Sequence, residues 1–387
     1  MGDIMATFSV LNGTGLNGAG VDFGTLNQIS ASGIAGFPVI TPTTGSVFFN
    51  DTGLLSLTGT GMSFVFPSTF GGTVNSLTYA KPAVTPVFSI TGISQPLAGA
   101  AGALLGGGDL TAFLASAFAG VDTISGSSVN DVLAGFGGAD LIDGGLGNDI
   151  ADYGASAAGL TGDLSAGTVS GGDATGDTLT SIEGLTGTAF SDALTGSAAA
   201  NVLSGGNDND TLTGLAGADT LNGGNGIDTA DYSLSAAGIV IKLAAGTGSG
   251  GDAAGDTLSG IETVVGTAFR DAMAGDGNTN TLNGGAGTDV LAGGGGADTL
   301  DGGDGIDIVS YAASLAGVQV DLKNNTYTGG DAAGDSLVGI EYLTGSGFGD
   351  TLAGTDSTNR LLGLDGDDVL QGNGGNDALR GGAGVTS

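Results

Sequence analysis

Two nested periods restrict what this chain can fold into more than any other property of it. A 79-residue unit returns three times without a gap: Tyr153, Tyr232 and Tyr311 are 79 apart, and so are Ile182, Ile261 and Ile340, Glu183, Glu262 and Glu341, and Phe190, Phe269 and Phe348. Inside each unit aspartate recurs every nine residues, at Asp131, Asp140 and Asp149, then Asp210, Asp219 and Asp228, then Asp289, Asp298 and Asp307, then Asp368 and Asp377. A fixed internal period marks stacked units that bury their apolar faces against their neighbours.

The nine-residue unit is most complete at Gly144-Gly145-Leu146-Gly147-Asn148-Asp149-Ile150-Ala151-Asp152. Six residues have to make a tight turn, and the glycines supply the positive φ that a side chain penalises. The aspartate in the sixth place can point its carboxylate at the turn mouth, where glycine carbonyls converge. That all-oxygen set suits a hard cation such as calcium. A metal-free array of Gly/Asp turns is the competing reading, but it leaves the dominance of Asp over Asn or Ser in the sixth place unexplained. The last three residues read as a short strand with one inward apolar side chain. That slot holds Leu133, Ile142, Leu194, Leu203, Leu212, Leu221, Leu282, Leu291, Leu300, Val309, Leu352, Leu361, Leu370 and Leu379, with Ala151 and Ala230 as small exceptions.

This pattern is G-G-x-G-x-D-x-U-x, the known calcium-binding nonapeptide of RTX proteins. Residues 122–387 therefore resemble the RTX, or haemolysin-type calcium-binding, family, and the many tandem copies make the resemblance specific. The resemblance implies an all-β fold: a right-handed parallel β-roll solenoid in which two nonapeptides make one coil. Several calcium ions are then expected, each between stacked turns. The candidate ligands are Asp131, Asp140, Asp149, Asp192, Asp210, Asp219, Asp228, Asp271, Asp289, Asp298, Asp307, Asp350, Asp368 and Asp377. Stacking pairs Asp131 with Asp149, Asp192 with Asp210, Asp210 with Asp228, Asp271 with Asp289, Asp289 with Asp307, and Asp350 with Asp368. Asn201, Asn280 and Asn359 occupy the same sixth place without charge, so their turns are expected to bind more weakly or not at all. Glu183, Glu262 and Glu341 fall in phase as well.

Composition bears on partners. Against 40 Asp and Glu stand six basic residues, Lys81, Lys242, Arg270, Lys323, Arg360 and Arg380, giving a net charge of −34. Such a chain repels itself when compact unless cations neutralise it. No nucleic-acid partner is expected, and an anionic membrane surface is a poor one. No apolar run is long enough for a membrane span, and no basic, then apolar secretory leader follows Met1. Cysteine is absent, so no disulfide is available, and histidine is absent, which removes Ser-His-Asp, Cys-His and histidine-ligated zinc chemistry. A two-carboxylate glycosidase is the remaining enzymatic option, but the repeat already accounts for the spacing of the acids. No enzyme is expected.

Between the nonapeptide runs, Gly238-Ile239-Val240-Ile241-Lys242-Leu243 alternates like a strand. The aspartate pairs Asp173/Asp177, Asp252/Asp256 and Asp331/Asp335 either form a solvated surface turn or hold a further ion. Tyr153, Tyr232 and Tyr311 either fill a widened core at the end of each regular run or stack on a ligand. Residues 1–120 are different in kind. They carry all six prolines, and strand-like stretches at 45–49, 54–58, 63–66, 74–79 and 87–90 alternate with turn residues. Asp109 reads as the N-cap of a short helix over 110–118. The expected division is a small β-rich N-terminal cap or anchor domain with a terminal capping helix (1–120), then a β-roll of three 79-residue modules and a truncated fourth (121–387). The fourth module reaches Ser387 with Thr386 where an aspartate belongs, so either the chain is longer or that end meets a neighbouring subunit.

Two functions fit. One is a secreted calcium-binding structural protein whose roll folds on extracellular calcium and assembles as a surface layer, filament or matrix, by self-association or with a cell-surface partner. The other is a non-catalytic export or folding module, or an adhesin fragment, of a larger secreted protein. The resemblance further implies type I secretion and an extracellular or cell-surface location on a Gram-negative bacterium. An ice-binding rod is a distant third, because Thr211, Thr213, Thr220 and Thr229 do not continue evenly across the copies.

Overall fold

A computed structural model describes residues 120–126 and 128–384 in full and, between residues 44 and 96, the backbone of six strands. The expected helix over 110–118 lies outside the described residues. The chain forms two compact units, Met1–Ala189 and Phe190–Ser387.

In the first unit, Thr44–Phe49, Gly53–Thr58, Thr73–Ala80 and Pro86–Pro96 pair successively as an antiparallel meander, with Ser63–Val65 and Thr69–Gly71 as a separate hairpin. Five of these strands fall on the stretches expected from alternation and turn residues, and Thr69–Gly71 is not among them. Pro86–Pro96 then pairs antiparallel with Thr123–Ser125, which in turn pairs in parallel with Leu141–Asp143. Thr123 stands beside Leu141, 18 residues along, while the nonapeptide between them places Val132–Leu133 in the opposite sheet beside Ile150–Asp152. Alternate nonapeptides thus enter alternate sheets, which is the β-roll.

The second unit repeats this. Ala193–Thr195, Thr211–Thr213 and Thr229–Asp231 stack in parallel on one side, and Val202–Asn207 and Thr220–Asn225 on the other. In most of these strands the middle residue is buried and its flanks are not. Leu194, Leu203, Leu212, Leu221, Leu282, Leu291, Leu300 and Leu361 are all 0–1% exposed. Each is worth about 1.5–3 kcal/mol in burial, and since alternate strands lie in opposite sheets, each sheet contributes its own file of side chains to the core. Leu379 departs from the rule: it occupies the inward slot of the edge strand Ala378–Ala383 and is 48% exposed.

The segments between nonapeptide runs keep the sheets going in another way. Val240–Lys242 is a strand, as its alternation predicts, with Ile239 and Ile241 buried. It hairpins with Thr247–Ser249, a 3-10 turn follows at Gly251–Ala253, and Thr257–Ser259 rejoins the sheet beside Thr220–Asn225. Gln319–Asp321 and Thr326–Thr328 repeat the hairpin one module later. Among the described residues no helix is long and apolar enough to cross a membrane.

Candidate metal centre

The turn Gly284-Gly285-Ala286-Gly287-Thr288-Asp289, which leads into the strand Val290–Ala292, shows how the motif folds. Gly285 has φ 87° and Gly287 φ 140°, left-handed conformations that are open to glycine. The turn imposes this conformation even where the second residue is larger: Phe136, Leu215 and Leu364 hold φ 60°, 64° and 79°. Gly284 is required for another reason. A Cβ there would lie 2.6 Å from Asp289 Oδ2 and 2.6 Å from the carbonyl oxygen of Gly302, one coil on. The turn therefore keeps an oxygen-lined cradle beside its first glycine. The same cradle forms at Gly144 from Asp149 and Ser181, at Gly223 from Asp228 and Gly260, and at Gly363 from Asp368 and Gly381.

A direct test follows. Gly284→Ala fills the cradle and should cost about 1–3 kcal/mol, as overpacking does, and raise the calcium needed for folding. Gly277→Ala, where an added Cβ meets nothing within 4 Å, should change stability by no more than about 0.5 kcal/mol. Thermal melts of the two variants at several calcium concentrations compare them.

The aspartate closing each turn ties its coil to the previous one. Oδ1 of Asp149, Asp210 and Asp228 accepts the backbone N–H of Asp131, Asp192 and Asp210 at 2.7, 2.8 and 2.8 Å. Asp289, Asp307 and Asp368 do the same to Asp271, Asp289 and Asp350 at 2.7, 2.8 and 3.0 Å. These are the pairs expected to stack, and what joins them is carboxylate to main-chain amide. A second series runs between them: Asp140 accepts from Asp122, Asp219 from Asn201, Asp298 from Asn280 and Asp377 from Asn359. Of the fourteen candidate aspartates all are buried except Asp377, which is half-buried. Asp122, nine residues before Asp131, belongs to the ladder too. It escapes a sequence reading because Ala117-Phe118-Ala119-Gly120-Val121 lacks the glycine turn.

The other carboxylate oxygen is the informative one. Oδ2 of Asp140, Asp149, Asp210, Asp219, Asp228, Asp289, Asp298, Asp307 and Asp368, and both oxygens of Asp122, are buried without a hydrogen-bond donor. Leaving a charged oxygen so placed is costly unless something pairs with it. Burial accordingly pushes the carboxyls of Asp140, Asp210 and Asp219 up to about 7, and those of Asp122, Asp289 and Asp298 up to about 6. Asp149, Asp228 and Asp307 are raised by the same cause. A proton or a cation relieves this cost. Carboxylate and carbonyl oxygens beside the first glycine are hard donors, so the residues present fit calcium. Among the described residues no three His, Cys, Asp or Glu side chains are grouped so as to hold a metal ion by themselves, so a cation here needs main-chain carbonyls among its donors.

Other turns are satisfied internally. Asp271 accepts from Thr267 N at 2.6 Å, Thr267 Oγ1 at 3.0 Å and Ile239 N at 2.7 Å. Asp350 is held likewise by Ser346 N, Ser346 Oγ and Val318 N. Asn201 Oδ1 accepts from Ser197, Asn280 Oδ1 from Asp276 and Asn359 Oδ1 from Thr355. Glu183, Glu262 and Glu341 accept the N–H of Asp149, Asp228 and Asp307.

The aspartate pairs between runs are split rather than shared. Asp177, Asp256 and Asp335 are not solvated: each is buried, with Oδ1 accepting from Asp140, Asp219 or Asp298 and Oδ2 accepting the hydroxyl of Tyr153, Tyr232 or Tyr311 at 2.8–2.9 Å. The tyrosines fill core and also bond a carboxylate, which the sequence reading missed. The one signal available is that both partners recur every 79 residues with a constant separation of 24.

Comparison with curated proteins finds no match. Comparison with protein families finds one: residues 116–151, 186–230, 256–291, 274–309 and 353–385 match the RTX calcium-binding nonapeptide repeat (4 copies). Those stretches contain most of the glycine turns and of the aspartate ladder, and they are RTX calcium-binding nonapeptide repeats.

Proposed function

We propose that this chain is a secreted structural protein, exported from a Gram-negative cell by a type I system, whose roll folds on meeting extracellular calcium and which then assembles as a surface layer, filament or matrix. The observation that carries this is the series of buried carboxylate oxygens without donors, which at Asp228, Asp289, Asp307 and Asp368 lie beside a glycine carbonyl of the next coil. Extracellular calcium modules bind at about 10⁻⁴–10⁻³ M, so such sites stay empty inside a cell and fill outside it. The role is non-catalytic, because carboxylates repeated along a ladder offer no unique reacting centre. Residues 1–120 act as a cap or anchor, a reading supported by the pairing of Pro86–Pro96 with Thr123–Ser125 at the start of the roll.

Assembly draws support from one feature. Phe190, Phe269 and Phe348 recur once per module and are 43–48% exposed, which gives equivalent apolar contacts at regular intervals and hence multivalency. The second reading, a non-catalytic export or folding module or adhesin segment of a larger protein, is favoured by the confinement of the family match to the repeats. Negative-stain imaging and light scattering at millimolar calcium separate them. Ordered lattices or fibres are expected; monodisperse particles at tens of micromolar protein would overturn assembly and favour the module.

A further inference from the structure

Turns that occupy the same place in the repeat differ in whether their carboxylate already has donors. Asp289 and Asp271 both end a turn that begins with glycine, and both accept or donate along the same ladder. Yet Asp289 Oδ2 has no donor, whereas both oxygens of Asp271 are taken, by Thr267 and Ile239. The distinction recurs one module on, between Asp368 and Asp350. At the other end of each run, Tyr232 and Tyr311 supply the donor to Asp256 and Asp335.

We propose that Thr267, Ser346, Tyr232 and Tyr311 decide which turns take calcium, so that ions load only the run between two capped turns and the capped turns stand without metal. The inference rests on the calcium reading above and adds to it where the ions do not go. Its physical basis is competition for lone pairs. Calcium requires several oxygens whose lone pairs face it. At Asp271 and Asp350 those lone pairs face N–H and O–H hydrogens, whose partial positive charge lies where the ion would sit. Admitting an ion there would strand buried donors, each at the cost of an unmade hydrogen bond. The asparagine turns extend the frame, since Asn280 is neutral and its oxygen already accepts from Asp276. In the middle module the loading run is therefore Asp289, Asp298 and Asp307, bounded by capped Asp271 and Asn280 before it and by Tyr311 with Asp335 after it.

Equilibrium dialysis of the full chain against calcium, with the bound ions counted per folded protein, tests this. Asp219→Asn and Asp298→Asn should lower the count, because each removes the charge from an oxygen that has no donor. Asp271→Asn and Asp350→Asn should leave the count at the wild-type value, even where they weaken the fold. Tyr311→Phe keeps the ring and removes only the hydroxyl, so it serves if an Asn variant fails to fold. Uncapping Asp335 should give a loss of melting temperature that is large at the lowest calcium that folds the chain and shrinks at millimolar calcium, where a merely structural tyrosine would give the same loss throughout. Asp271→Asn lowering the count as Asp219→Asn does, or a calcium-independent loss in Tyr311→Phe, would overturn the inference. A wild-type chain that binds no calcium would instead overturn the calcium reading on which it stands.

Discussion

Stripped of calcium at neutral pH, the repeat region is expected to lose its β-structure and to regain it as calcium is restored. The chain carries a net charge of −34, and the described fold places at least nine aspartates of the ladder where one oxygen is buried with no donor. Without a cation each of these costs about 1–3 kcal/mol or more, since the group is charged. The total stability of an ordinary domain is only about 5–15 kcal/mol, so the metal-free roll cannot carry them all ionised. The folded turns are also what bring the oxygens together, so binding free energy and folding free energy are the same quantity. Far-ultraviolet circular dichroism during a calcium titration should show a coil-like spectrum in excess chelator and a cooperative gain of β-signal. A spectrum rich in β-structure in chelator and unchanged by calcium would contradict this.

Acid should substitute in part for calcium. Burial raises the folded-state carboxyls of Asp140, Asp210 and Asp219 to about 7 and of Asp289 and Asp298 to about 6, while an unfolded aspartate titrates near about 3.9. The folded chain then binds more protons than the unfolded chain between about pH 4 and pH 7, so stability falls as pH rises through that window. In calcium-free buffer, lowering the pH from 8 to about 5 should therefore restore β-signal and raise the melting temperature. With calcium saturating, the ion replaces the proton and the dependence should flatten or reverse. Melts across this range with and without calcium make the comparison, and a metal-free protein that grows less stable on acidification would refute the burial of these charges.

Much of this was legible in the sequence because period and geometry coincide. Nine residues make one turn and one strand, and eighteen return to the same sheet, so the pairing of Thr211 with Thr229 and the stacking of Asp210 on Asp192 follow from counting. The inward leucines follow from the single apolar residue in each strand. Counting fails in the linkers, where the ladder resumes after 34 residues at Glu262 and 37 at Asp256, neither a multiple of nine. Hairpins and 3-10 turns absorb the difference there, and the result depends on backbone geometry rather than on periodicity. Counting also gives Asp271 and Asp289 the same role, because both fill the sixth place. What separates them is the Thr267 hydroxyl within its own turn and the Ile239 amide, 32 residues earlier and just ahead of the strand Val240–Lys242. The link from Tyr232 to Asp256 was hidden for a similar reason: the aromatic ring announced a core position and gave no sign of where its hydroxyl points.

The central claim is that the donorless carboxylate oxygens are calcium ligands, and anomalous diffraction from crystals grown in calcium tests it most directly. Peaks should lie about 2.3–2.6 Å from Oδ2 of Asp210, Asp219, Asp228, Asp289, Asp298, Asp307 and Asp368, with glycine carbonyls completing each set. Crystals soaked in saturating calcium that show no anomalous density at those oxygens, or show it only at exposed carboxylates on the surface, would contradict the account.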